Sequence, residues 1–189
     1  MAELYALLQV EHDQAWDLVN ALTGGAGDDP LGSRQRKRLA QGLVSLLSGH
    51  ELTEELVVWP AVRRRCPDGA ELAAAALEQE HNLKLALNEL SSISPSEEFD
   101  ECTHTVAAQM RTHLSYEQSQ VWPRLRDSVS DSELTALAEN WRGARAAAAT
   151  RPHPHLPADP KLLGAVMPLL AAADRWAELL HGRVALPGV

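Results

Sequence analysis

Two stretches of this 189-residue chain share one spacing, His50-Glu51-Leu52-Thr53-Glu54 and His113-Leu114-Ser115-Tyr116-Glu117. Each is followed by Trp-Pro, at Trp59-Pro60 and Trp122-Pro123, with ten residues from His to Pro both times. A second echo precedes each, Glu11-His12-Asp13 and Glu80-His81-Asn82. Residues four apart on a helix differ by about 40° and one turn, so their side chains point the same way. One such helix can give an imidazole to one metal ion and share a carboxylate with a second. Two of them, plus one histidine from each of two further helices, supply four imidazoles and two shared carboxylates. The residues are His12, His50, His81 and His113 with Glu54 and Glu117, a donor set suited to a pair of metal ions. A single His-x-x-x-Glu arises often by chance. The duplicated set with matching Trp-Pro sequels is specific.

Helices must hold these residues. Ala and Leu occupy 29 and 30 positions, against one Ile, one Phe and two Tyr. Ala and straight-chain residues favour helix, whereas β-branched and aromatic residues favour strand. An all-β fold is excluded in practice and a large parallel sheet is not expected. Breaks rich in Gly, Pro, Ser or Asp fall at 24–30, 66–69, 91–96, 127–131 and 151–157. They leave helical segments at 2–23, 33–65, 69–92, 96–127, 131–149 and 160–183. Ser33, Asp68, Ser94 or Ser96, and Asp131 can cap them, and Ser94 with Glu97 and Ser130 with Glu133 fit capping boxes. Four amphipathic segments with short connections predict an all-α, up-down four-helix bundle over 1–127. A C-terminal helical extension, 128–189, follows, with a Pro-rich linker at 151–160.

The apolar stripes contain polar intruders. Segment one reads Leu4, Leu8, His12, Ala15, Val19, Leu22, and segment three reads Leu77, His81, Leu85. A lone histidine on such a face is first of all a core histidine with one hydrogen bond. Six intruders on four helices are different, because two unpartnered buried carboxylates cost several kcal/mol each unless something compensates. Other residues take ordinary readings. Pro60 and Pro123 kink helix ends, and Trp59 and Trp122 pack. His104 faces away, His153 and His155 belong to the linker, and His181 is a surface residue. Arg63-Arg64-Arg65 suits a helix C-terminus. The apolar side of the last helix, Leu162 to Trp176, docks on the bundle or on a second copy in a homodimer.

The pattern His12, His50-x-x-x-Glu54, His81, His113-x-x-x-Glu117 resembles hemerythrin-like proteins, the HHE cation-binding group, over about residues 3–126. The Pro-rich stretch and last helix are similar to those of the actinomycete bacterial members. The resemblance implies two iron ions with an oxo or hydroxo bridge, and small-molecule partners such as oxygen, peroxide or nitric oxide. The chain departs from the oxygen carriers, which have five histidines and a His-x-x-x-His on the third helix. Here Leu85 follows His81 by four and Leu77 precedes it by four. Two residues are candidates for an additional ligand. Glu51 matches an extra glutamate ligand in the hemerythrin domain of an iron-sensing ubiquitin-ligase subunit, and Tyr116, near His113, could offer a phenolate. Glu78 with His81 forms the Glu-x-x-His pair of ferritin-type sites, but Gln9 breaks it in the first repeat.

Net charge −9 and pI near 5.3 argue against nucleic acid as a partner. No apolar run approaches the roughly 20 residues of a membrane span. The first residues lack a secretory pattern and Cys66 and Cys102 form no CxxC pair, so a cytoplasmic protein with reduced thiols is expected. Two functions follow as expectations. One is catalase-like decomposition of hydrogen peroxide in oxidative stress. The alternative is a module that binds, senses or stores oxygen, nitric oxide or iron without turnover. A structural bundle with adventitious zinc is a third reading.

Overall fold

The computed structural model describes residues 3–24, 32–156 and 159–180, with side chains up to residue 177. Most of the 24–30 loop, and His181, lie outside the described residues. Helices α1 (Glu3–Thr23), α2 (Ser33–Arg65), α3 (Gly69–Ser92) and α4 (Glu97–Tyr116) form the bundle. A π-helical turn, Glu117–Val121, leads into α5 (Trp122–Ser128), and α6 (Asp131–Ala146) and α7 (Pro160–Leu180) follow. There is no strand among the described residues. Helix α1 packs on α2 and α4, and α3 packs on α2 and α4. The fold is the all-α bundle that the stripes predict.

Local chemistry sets the helix ends. Ser130 and Glu133 form the predicted capping box, each bonding the other's backbone N–H. At α4 the cap is Ser96, whose hydroxyl accepts from Phe99 N at 3.3 Å, and not the predicted Ser94 box. Helix α2 runs through Pro60 without a break. The fourth segment is not the uninterrupted α-helix expected. Its inward residues His113, Glu117, Val121 and Leu125 are spaced by four throughout, a series that drifts about 40° per step in a regular α-helix. The π turn absorbs this drift. Trp122 N–H bonds the Glu117 carbonyl five residues back, and Pro123, which has no N–H to continue the α pattern, follows at once.

The core is in two parts. One cluster holds Val19, Leu43, Leu47, Leu87, Leu90, Phe99 and Met110. The other holds Leu4, Leu8, Trp59, Val62, Leu72 and Leu125 together with Leu134, Ala138 and Trp141 of α6. Helix α6 therefore shares a core with the bundle, against α1 and α2. Helix α7 lays Leu163 and Met167 on Leu52 of α2. Its other side leaves Leu162, Leu169 and Trp176 exposed. Asp174 accepts from the backbone N–H groups of Thr150 and Arg151 at 3.1 and 3.0 Å and faces His153 Nε2 at 3.3 Å, tying the linker to α7. No helix among the described residues is long and apolar enough to cross a membrane.

Two glycines test the packing in opposite directions. A Cβ on Gly69, in the α2–α3 turn, would stand 2.8 Å from the Val62 carbonyl carbon and closer still to its oxygen. Gly143, in the exposed part of α6, meets nothing within 4 Å. Gly69→Ala should cost about 1–3 kcal/mol, and Gly143→Ala should add up to about 1 kcal/mol through helix propensity. Urea midpoints at constant slope read both.

Candidate metal centre

The two apolar clusters are separated by a polar layer, and each bundle helix supplies one turn of it. On α1 it is His12, between Leu8 and Ala15. On α2 it is His50 and Glu54, and on α4 it is His113, with Glu117 opening the π turn. On α3 the residue in the layer is Glu80, between Ala76 and Leu83. All of these side chains are at most 1% exposed.

The geometry converges. Nε2 of His12 lies 3.2 Å from Nε2 of His50 and 3.2 Å from Oε2 of Glu117. Glu54 Oε2 is 3.6 Å from Nε2 of both His50 and His113, and Glu117 Oε1 is 3.4 Å from His113 Nε2. Two donor groups result, His12-His50-Glu117 and Glu54-His113-Glu117, with Glu117 common to both. None of the four carboxylate oxygens of Glu54 and Glu117 has a hydrogen-bond partner, nor has either ring nitrogen of His113. Buried polar atoms are ordinarily satisfied. Orphaned lone pairs of imidazole and carboxylate aimed at common points, in a water-excluded layer, fit a pair of metal ions.

Three tryptophans wall three imidazoles. Trp122 stacks on His12 (5.5 Å, 23°), while Trp141 meets His50 and Trp59 meets His113 edge-on at 5.3 and 6.4 Å. The Trp-Pro sequel of each repeat is thus packing, but packing against imidazoles of the buried layer.

His81 requires a correction. The structure does not bring it to the layer, because it is exposed on α3. The buried face of α3 is Ala73, Ala76, Glu80, Leu83, Leu87 and Leu90, one residue out of register with the stripe Leu77, His81, Leu85. One residue is about 100° of rotation, enough to turn His81 outward and Glu80 inward, and Leu85 is 43% exposed beside it. Glu80 is held by the Trp59 indole N–H and lies 3.6 Å from Lys84, which also pairs with Glu55. An apolar-spacing argument could not favour Glu80 over its neighbour. The available signal was Lys84, a cation on the same helix face that makes sense only beside buried carboxylates. Of the two additional candidates, Glu51 is fully buried with both oxygens unpartnered. Tyr116 donates its hydroxyl to the Leu72 carbonyl at 3.2 Å and is committed to α3. His104 is exposed and His155 is exposed in the linker.

Burial dominates the titration. It pushes the Glu51 carboxyl up to about 8, with Lys84 opposing and Glu55 and Glu117 adding. Burial and the facing Glu117 raise Glu54 well above the usual carboxyl range. Burial also raises Glu117, but His113 and His12 more than offset it, so Glu117 is the ionised partner of the pair. Burial lowers His113 to about 4 and lowers His50 as well.

Fold and site together define a helical bundle with a buried histidine–carboxylate centre. Residues 3–125 match the hemerythrin HHE cation-binding domain, and the chain belongs to that family. Comparison with curated proteins and with solved structures returns no significant match.

The metal-free protein should show an unusual pH profile. Unfolded, Glu51 releases its proton near its ordinary value of 4.5, whereas folded it keeps it to about 8. Its contribution is full below pH 4.5 and is lost as pH rises to 8. His113 runs the other way, since the unfolded ring protonates below 6.5 and the folded ring only near 4. Above pH 6.5 the carboxyl side alone remains. Denaturant titrations of metal-free protein should lose about 2 kcal/mol from Glu51 alone between pH 6.5 and 8.

Proposed function

We propose that the chain holds two iron ions in this layer and decomposes hydrogen peroxide there. One observation carries the reading. Five carboxyl groups, Glu51, Glu54, Glu55, Glu80 and Glu117, are buried here with one buried ammonium among the described residues, Lys84, which Glu51, Glu55 and Glu80 share. Ionised, they leave four formal negative charges, which two divalent cations neutralise. No apolar core tolerates that charge uncompensated.

His12 and His50 with Glu117 would hold one ion, and His113 with Glu54 and Glu117 the other. Glu51 and Glu80 would supply oxygens where a fourth histidine does not reach. Iron of this kind supplies redox chemistry with peroxide or oxygen when bound. The protein's part is to orient and exclude. Trp59, Trp122 and Trp141 fix ring planes, and the apolar clusters on both sides keep bulk water from the carboxylates. Three imidazoles among two ions leave coordination positions for a small oxygen ligand, which suits turnover better than reversible oxygen carriage.

Anaerobic reconstitution with ferrous iron should saturate at about two ions per chain. The loaded protein should release oxygen from hydrogen peroxide faster than the same free iron. Glu54→Ala, Glu117→Ala and Glu80→Ala should each lower iron affinity on the order of 10-fold or more, while His81→Ala and His104→Ala leave it unchanged. Saturation at one ion, or uptake of zinc alone, overturns the di-iron reading. Two irons without peroxide decomposition overturn the enzyme and leave a binding or sensing module.

A further inference from the structure

Helix α6 lies beyond the residues matched to the family, 3–125, yet it reaches one histidine of the layer. Arg145 Nε stands 3.0 Å from each oxygen of Glu11. Glu11 Oε2 is 3.1 Å from His50 Nδ1. The guanidinium is further held by Nη2 donating to the Leu46 carbonyl at 3.4 Å. It fits because position 49 is glycine, where a Cβ would come within 2.9 Å of its Cζ and closer still to Nη1. Trp141, from the same helix, closes the ring's other side.

We propose that Arg145, acting through Glu11, is a positioning residue that fixes His50 as the Nδ1–H tautomer and leaves its Nε2 lone pair directed into the layer. An ionised carboxylate only accepts hydrogen bonds, so the ring nitrogen facing Glu11 must carry the proton. A neutral imidazole has one proton, and Nε2 is then bare. Arg145 orients Glu11 by offering Nε to both its oxygens, so that both stand as acceptors. An ordinary surface pair of this kind contributes little. This one differs in its continuation to a buried ring and in the glycine that makes room for it. The other two imidazoles lack the device. His12 Nδ1 has only the Gln118 amide at 3.4 Å, and His113 Nδ1 has no partner. His50 is therefore the ring whose ligand nitrogen is set in advance, by a helix outside the family match.

The consequence for metal rests on the di-iron reading, but the tautomer does not, and this separates the two. Ring-nitrogen NMR of ¹⁵N-labelled, metal-free protein at pH 7.5 should show His50 as the Nδ1–H form. Arg145→Ala and Gly49→Ala should give a mixture of tautomers, and Arg145→Lys, which keeps the cation, should retain the wild-type form. Gly49→Ala displaces the guanidinium without removing it, and it covers the case in which Arg145→Ala does not fold. In protein loaded with cobalt(II), Arg145→Ala should speed release of one of the two ions to a chelator about 10-fold. An unchanged His50 tautomer in both variants overturns the proposal. A wild-type protein that shows the Nδ1–H form but takes up no metal upholds the positioning role and defeats the metal reading.

Discussion

Charge buried without water is the constraint around which the bundle is arranged. Carboxylates and imidazoles occupy one layer across four helices, with an apolar cluster above and another below. A layer of this kind cannot be stabilised from within. Glu117 draws on His113 and His12, but Glu54 faces Glu117 as a like group, and Lys84 is shared among Glu55, Glu80 and Glu51. The apolar clusters supply the surplus that lets the layer exist in the folded chain, and the same clusters deny it solvent. The site is thus costly and water-free for one reason.

The same constraint explains what the sequence could and could not reveal. The His-x-x-x-Glu pairs were legible because both members project from one helix face, a fact of spacing alone. The six helical segments were legible because their breaks are rich in Gly, Pro, Ser and Asp, residues that interrupt helices by identifiable mechanisms. The third helix was not. Glu80 and His81 are adjacent, both can bind metal, and Leu77 and Leu85 offered a stripe that agreed with histidine. Packing chose the neighbouring stripe, Ala76, Leu83, Leu87 and Leu90, and carried Glu80 inward with it. Buried Ala73 and Ala76 belong to that stripe, and a small side chain signals its buried face less strongly than Leu77 or Leu85.

The π turn was hidden for a related reason. Hydrophobic periodicity tolerates steps of three and four and does not register that three consecutive steps of four, from His113 to Leu125, drift off one face of a regular helix. Pro123 was visible, and so was its Trp-Pro echo at Pro60. Helix α2 mixes its steps, with Val57, Val58, Ala61 and Val62 all buried, and it needs no correction. Two copies of one motif therefore have different backbones, and in the second the wider turn begins at Glu117, a carboxylate of the buried layer.

Helix α6 joins the layer by a contact that no sequence pattern marks. Nothing in its periodicity distinguishes it from a helix that merely covers an apolar groove, and Leu134, Ala138 and Trp141 do cover one. Trp141 already meets His50 of the layer, and one turn further on Arg145 depends on the absence of a side chain at Gly49, on another helix, 96 positions earlier in the chain. A missing Cβ has no periodic signature. Only the folded chain shows that the space it leaves is filled by a guanidinium, and that this group connects, through Glu11, to a ring in the charged layer. The extension thus shares an apolar core with the bundle and also reaches the buried histidine–carboxylate layer at His50, so that loss of packing between α6 and α2 would be felt in both.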